Sequence, residues 1–289
     1  MRSILEALSP LERTAWNDAT CRATLLARGP ASMIDTFAIW LHDTCGPSPA
    51  AAKLDSSVAI GVAARHRAVD GLARQVLNRL EAAGISCEIW SMGAGLDMGW
   101  AMGERPAGNA VVAVREFDLP GLIAAKSQLS ERFGASPKHS LTRNAVDLAD
   151  PSLSLPQTER PVLVIAEGLF DHLSEEPRGR LLAALARATP AAVLLADGLS
   201  RSGVKFDNRR PERFTGDSQL PFAEPPEDLS AFHQRSGWST RGEIALFPEM
   251  ARIMGERNFF WRAISTLPFP AALRRLYTLY HLEIGDALP

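Results

Sequence analysis

Ile89-Trp90-Ser91-Met92-Gly93-Ala94-Gly95-Leu96-Asp97 reads as a β-strand running directly into a glycine turn, and the fold assignment starts from it. Glycines at such a turn let a ligand approach the main chain closely. A second strand, Val111-Val112-Ala113-Val114-Arg115-Glu116-Phe117-Asp118, ends in acid. An acid there is placed to accept hydrogen bonds from both hydroxyls of a ribose. Asp118 is the first candidate, and Glu116, two residues earlier, is the second. Together the turn and the acid suggest a nucleoside-binding site. A dinucleotide fingerprint joins strand to helix in the same way, but it needs a third small residue for tight packing around a pyrophosphate. Here Met98 occupies that place and the next glycine is Gly99, so a nucleoside without phosphates fits better. A tight turn with no ligand remains the plain alternative.

Outward from this segment, short apolar runs alternate with helical spacing, the pattern of βαβ units around a mostly parallel sheet. Candidate strands are Glu88–Met92, Ala110–Val114, Pro161–Ala166 and Ala191–Ala196, with a weaker one near Ser140. Candidate helices are Ala63–Ala83, ended by Gly84, then Leu122–Phe133, and Arg178–Ala188 behind Ser174 as N-cap. Before the sheet, apolar residues from Leu11 to Leu41 recur every three to four positions. They predict two helices separated at Gly29-Pro30 and closed by Gly46-Pro47-Ser48-Pro49. Residues 201 to about 230 lack periodicity and read as a surface loop or lid, with Phe206, Phe214, Phe222, Phe232 and Trp238 as possible pocket walls. Helical Leu229–Ser236 and Glu249–Gly255 follow, with a strand near Tyr280–Ile284. The expected division is a helical lid over 1–60, a nucleoside-binding core over 61–200, an insertion over 201–240, and closing elements over 241–289.

With 46% hydrophobic and 22% charged residues in a chain of 289, the composition is that of an ordinary globular protein. The formal net charge of −2 supplies no basic excess for a phosphate backbone, which argues against a nucleic-acid partner. Cys21, Cys45 and Cys87 form neither a CxxC pair nor a zinc-spaced cluster, which suits a reducing compartment. No apolar run approaches membrane-spanning length, so a cytoplasmic location is expected.

Four blocks in order carry a family resemblance from about Ala63 to Ser200: Ala64-Arg65-His66-Arg67-Ala68-Val69-Asp70, Gly93-Ala94-Gly95-Leu96-Asp97, Phe117-Asp118-Leu119-Pro120 and Ile165-Ala166-Glu167-Gly168-Leu169. They resemble the leucine carboxyl methyltransferase-like family, in particular its bacterial polyketide O-methyltransferase branch. The resemblance implies a class I, Rossmann-like α/β fold with a mostly parallel seven-stranded sheet flanked by helices and an N-terminal helical lid. It implies S-adenosyl-L-methionine as cofactor, S-adenosyl-L-homocysteine as product, and O-methylation of a small-molecule specialised metabolite. Arg65 would pair with the donor's carboxylate, Gly93 and Gly95 would lie against it, and Asp118 would hold its ribose. Asp147 and Leu148 would meet the adenine, with a turn cap as the bland reading of Asp147. Glu167, at a strand's carboxyl end, would face the cationic donor or the substrate.

The family commonly follows GAGLD with Thr and Arg, where this chain has Met98-Gly99-Trp100. It commonly shows Tyr where this chain offers His172. Both changes are expected near the reaction centre. A hydroxyl acceptor needs a base, and His172, with an ordinary imidazole pKa, is the catalytic candidate. His66, on the helix surface, and His233 have weaker claims. Asp97 is expected to cap the helix after the turn and to brace the glycine loop. Two further readings stay open: a protein or peptide carboxyl methyltransferase, and a non-catalytic binding module. The sequence does not fix the oligomeric state.

Overall fold

The computed structural model describes residues 1–26, 35–51, 56–105, 108–213, 215–256 and 269–285. The Gly29-Pro30 break and the candidate wall Phe214 lie outside them.

A seven-stranded sheet organises the chain, in the order β3-β2-β1-β4-β5-β7-β6. The strands are β1 (Cys87–Met92), β2 (Val111–Asp118), β3 (Ser140–Ala145), β4 (Val162–Ala166), β5 (Ala192–Leu199), β6 (Ser239–Ala245) and β7 (Tyr277–Ile284). The first five pair in parallel, while β7 runs antiparallel to both β5 and β6. This is the mostly parallel, Rossmann-like sheet expected. Strand β4 is buried throughout and β5 nearly so, as strands covered on both faces must be. Edge strand β6, Ser239-Thr240-Arg241-Gly242-Glu243-Ile244-Ala245, was not foreseen. It pairs only with β7 and has one solvated face, so it carries no apolar run.

Preceding the sheet are α1 (Arg2–Glu6), α2 (Pro10–Leu26), α3 (Thr36–Cys45) and α4 (Ser56–Ala82). Within and after it come α5 (Gly99–Met102), α6 (Pro120–Phe133), α7 (Glu175–Ala188), α8 (Arg201–Asp207), α9 (Leu229–Arg235), α10 (Leu246–Gly255) and α11 (Ala271–Arg274). The divisions drawn at 60 and 240 fall inside α4 and β6. Helix α4 serves both layers, since Ala63 and Ala64 pack with Ile253 while Val69, Val76 and Leu80 pack on the sheet.

Leu5, Trp16, Phe37 and Leu41 of the front helices bury themselves against Leu96, Met98, Leu122 and Leu129. Met98 thus belongs to a core. Trp100 packs into the cluster beneath α4. Neither of these two side chains lines the cavity described below. Two capping expectations also change. Ser174 stands at the N-cap of α7, but its side chain makes no capping bond, and Glu175 and Glu176 in the first turn complement the helix dipole instead. Met98, not Asp97, is the N-cap of α5.

Phe232 and Trp238 join the core under β5 and β7 rather than a pocket wall, and His233 between them is fully buried. Its ring meets Tyr280 edge-on at 5.3 Å, and neither ring nitrogen has a partner among the described residues. Burial, helped by the nearby Arg178 charge, pushes its pKa down to about 4. An unfolded imidazole protonates near pH 6.5 while the folded one resists to about 4. This group's contribution is therefore intact above pH 6.5 and is lost as pH falls toward 4, by up to about 3 kcal/mol. His233→Phe is expected to raise Tm over the wild type by a margin that widens between pH 7 and pH 5 in calorimetric scans. A margin constant with pH would mean that His233 does not carry this slope.

Candidate active site

Two glycines make the turn after β1, because their φ values of +65° at Gly93 and +50° at Gly95 are closed to ordinary side chains. Asp118 closes the turn from the end of β2: its carboxylate accepts from the Gly95 amide at 2.7 Å and the Leu119 amide at 2.8 Å. Burial raises its pKa, and these two amides oppose the rise. Glu116 is held inside the fold by Lys126 at 2.8 Å and Arg143 at 2.9 Å, which removes it as the alternative ribose acid.

Strand β1 pairs with β2 on one side and β4 on the other, the switch point where open α/β sheets place ligands at the strands' carboxyl ends. Glu167 follows β4 there. Burial alone would raise its pKa, but Arg105, His66 and Arg65 hold it well below the usual carboxylate range. Arg105 was not anticipated. Its guanidinium donates to Glu167 at 2.9 Å, to Asp70 at 3.0 Å and to Asp97, and lies 2.6 Å from His66 Nδ1. His66 is accordingly buried, not on the helix surface. Asp97 does brace the turn, accepting from the Gly99 amide at 2.8 Å. A Cβ on Gly99 would stand 2.9 Å from Arg105 Cγ. The family pattern has arginine at this point of the turn, and here Arg105 fills the adjoining space from five residues beyond Trp100.

Arg65, from α4, donates to Asp18 at 2.9 Å and lies 3.7 Å from Glu167 and 3.6 Å from Asp197. Its buried Nε has no hydrogen-bond partner among the described residues. Tyr277 donates to Asp197 at 2.6 Å, and Asp197 also accepts from the Gly168 amide at 2.7 Å. Asp171 accepts from the Leu199 amide at 2.9 Å. Burial and repulsion from Asp197 push Asp171 up to about 7. None of Asp18, Asp171, Asp197 or Tyr277 was singled out as a site residue. The one available signal was Asp197, an acid inside an otherwise apolar strand.

All eight residues expected from the sequence line one cavity of about 850 Å³: Arg65, Gly93, Gly95, Asp118, Asp147, Leu148, Glu167 and His172. That is toward the upper end of small-molecule sites, roughly 300–1,000 Å³. Asp147 also makes the bland contact foreseen for it, accepting from the Ala149 amide at 2.8 Å. His172 closes a short 3₁₀ turn, its ring 5.7 Å from that of Phe222. Burial and the Arg65 charge push its pKa down to about 4. The ordinary imidazole pKa expected of it is therefore corrected: His172 is neutral at pH 7 and a weak base.

A profile of the family described as leucine carboxyl methyltransferase matches residues 4–186. A protein of Mycolicibacterium paratuberculosis, provisionally named an S-adenosyl-L-methionine-dependent methyltransferase, is 30% identical over 168 residues, 52% of this chain and 53% of its own. One of the same name from Mycobacterium sp. strain JLS is 32% identical over 155 residues, 47% and 49%. The chain thus spans about half the length of the curated relatives it matches. A solved structure from Thermobifida fusca, provisionally named a methyltransferase, superposes with a TM-score of 0.52 at 17% identity, covering 93% of this chain and 94% of that one. That likeness is one of fold.

Proposed function

The chain belongs to the leucine carboxyl methyltransferase family, and from that premise we propose that it moves a methyl group from S-adenosyl-L-methionine to a carboxyl or hydroxyl oxygen of a small molecule. The observation that carries the reading is the single cavity shared by the glycine turn, the β2 acid and His172. Seven carboxylates and two guanidiniums line it, a balance suited to a donor whose ammonium and sulfonium outweigh its one carboxylate.

Under this reading the donor supplies a methyl group on a cationic sulfonium. Asp118 accepts from the ribose, Asp147 from the adenine amine, and Leu148 packs on the ring. Arg65, which lines the cavity, offers its guanidinium to the amino-acid carboxylate. Glu167, kept ionised by Arg105 and His66, supplies negative charge near the donor's cationic end. Catalysis then rests mainly on alignment of the acceptor oxygen with the methyl group.

Calorimetric titration with S-adenosyl-L-homocysteine, with NAD as control, tests the donor site. Micromolar binding of the former alone is expected, and binding of NAD in its place would end this reading. A second reading, methylation of a protein's terminal carboxylate, is favoured by the family's description. Radiolabel entering a peptide with a free carboxyl end, and no small acid or phenol, would establish it instead.

A further inference from the structure

Helix α8 follows β5 and ends at Asp207, which lines the cavity. The next residue, Asn208, donates to the Phe222 carbonyl and accepts from the Phe222 amide, both at 2.8 Å. Phe222 in turn faces His172. The residue after Asp207 is therefore tied to the segment whose Phe222 ring faces His172.

Of the seven carboxylates lining the cavity, six accept a hydrogen bond from the protein. Asp207 accepts none among the described residues, and burial is the sole cause of its raised pKa, about 6. It also ends a helix, where the dipole disfavours an anion. A half-buried acid so placed lacks the donor that would stabilise it. The cavity's cations do not fill that role: Arg65 lies among Asp18, Glu167 and Asp197, and Arg213 is already partnered.

We propose that Asp207 is the acceptor's base, a carboxylate that binds a neutral hydroxyl and takes its proton, so that the substrate is a phenol or alcohol rather than a carboxylate. The inference rests on the methyl-transfer reading and narrows it. Asp207 takes the O–H proton onto a carboxylate oxygen. The acceptor oxygen forms its bond to the methyl carbon as that carbon's bond to sulfur breaks, the electron pair staying on sulfur, which passes from sulfonium to neutral thioether. Asp207 then returns the proton to water. A carboxylate acceptor would instead meet Asp207 as a like charge, with no cation free to offset it among the described residues.

The test compares 2-naphthol with 2-naphthoate, which share a ring system and differ in the group offered. Each is titrated into the protein loaded with S-adenosyl-L-homocysteine, and each is offered as acceptor with radiolabelled donor. Naphthol is expected to bind at least about tenfold tighter than naphthoate, and Asp207→Asn to lower its methylation about a hundredfold. The same variant should bind S-adenosyl-L-homocysteine unchanged, which certifies its fold, and bind naphthoate better than the wild type does. Equal or tighter binding of naphthoate by the wild type, no binding of naphthol, or full naphthol turnover by Asp207→Asn would each overturn the proposal. If a peptide carboxylate alone is methylated, the small-molecule reading falls as well, so the two failures are separable.

Discussion

Arg105→Ala is expected to lower stability by about 3–5 kcal/mol, because it leaves buried carboxylates without their cation. The guanidinium is almost wholly buried and stands between Asp70, Asp97 and Glu167, with its Cζ 5.0 Å from the Trp100 ring centre. Tm should fall by roughly 10 °C in a domain of this size. Arg105→Lys restores the charge but not the fork that reaches three acids, so it should recover only part of the loss. The pH dependence follows from Asp97. Burial would raise its pKa, but Arg105, then Arg22 and His66, bring it down to about 2. Its contribution is present above its ordinary value of 3.8 and is lost as pH falls toward 2. Acid unfolding of the alanine variant should therefore begin at higher pH. A urea-unfolding loss below 1 kcal/mol would show that the acids find other partners.

Asp118→Ala should weaken S-adenosyl-L-homocysteine binding by at least about 30-fold, near 2 kcal/mol, since hydrogen bonds to charged groups contribute about 1.5–3 kcal/mol each. Two effects combine. The carboxylate is the group proposed to receive the ribose hydroxyls, and it also holds the Gly95 and Leu119 amides that set the turn. Asp118→Asn separates them, because an amide oxygen can keep one backbone contact but brings no charge. Affinity intermediate between wild type and alanine is expected for it by calorimetry. Unchanged affinity in both variants would leave Asp118 with the turn alone and move the ribose site elsewhere.

The residues legible in sequence are those whose meaning is local. The glycines follow β1 directly, Asp118 ends its own strand, and Glu167 follows five apolar residues, so each could be placed from its neighbours. Arg65 and His172 needed the family blocks, since a lone arginine on a helix or histidine in a turn carries no such signal. Tyr277 and Asp197 are eighty positions apart and meet only because β7 pairs with β5. Arg105 escaped notice because the residue that makes room for it, Gly99, resembled part of the cofactor turn. The ionisation of His172 was misjudged for a related reason: burial and the Arg65 charge are properties of the assembled cavity, not of the segment. Strand β6 was missed because an edge strand needs few apolar residues.

Strand β7 lies between two strands that precede it in the chain, β5 and β6. A ribosome releases sequence in order, so a nascent chain emerges with β5 and β6 before the strand that joins them exists. Until residues 277–284 arrive, β6 has no partner and one edge of β5 stays open. Asp197 also waits, because the hydroxyl it accepts belongs to Tyr277. A translation product stopped before position 277 should thus carry the glycine turn, Asp118 and Glu167 yet hold Arg65 poorly, exposing an adhesive strand edge to chaperones.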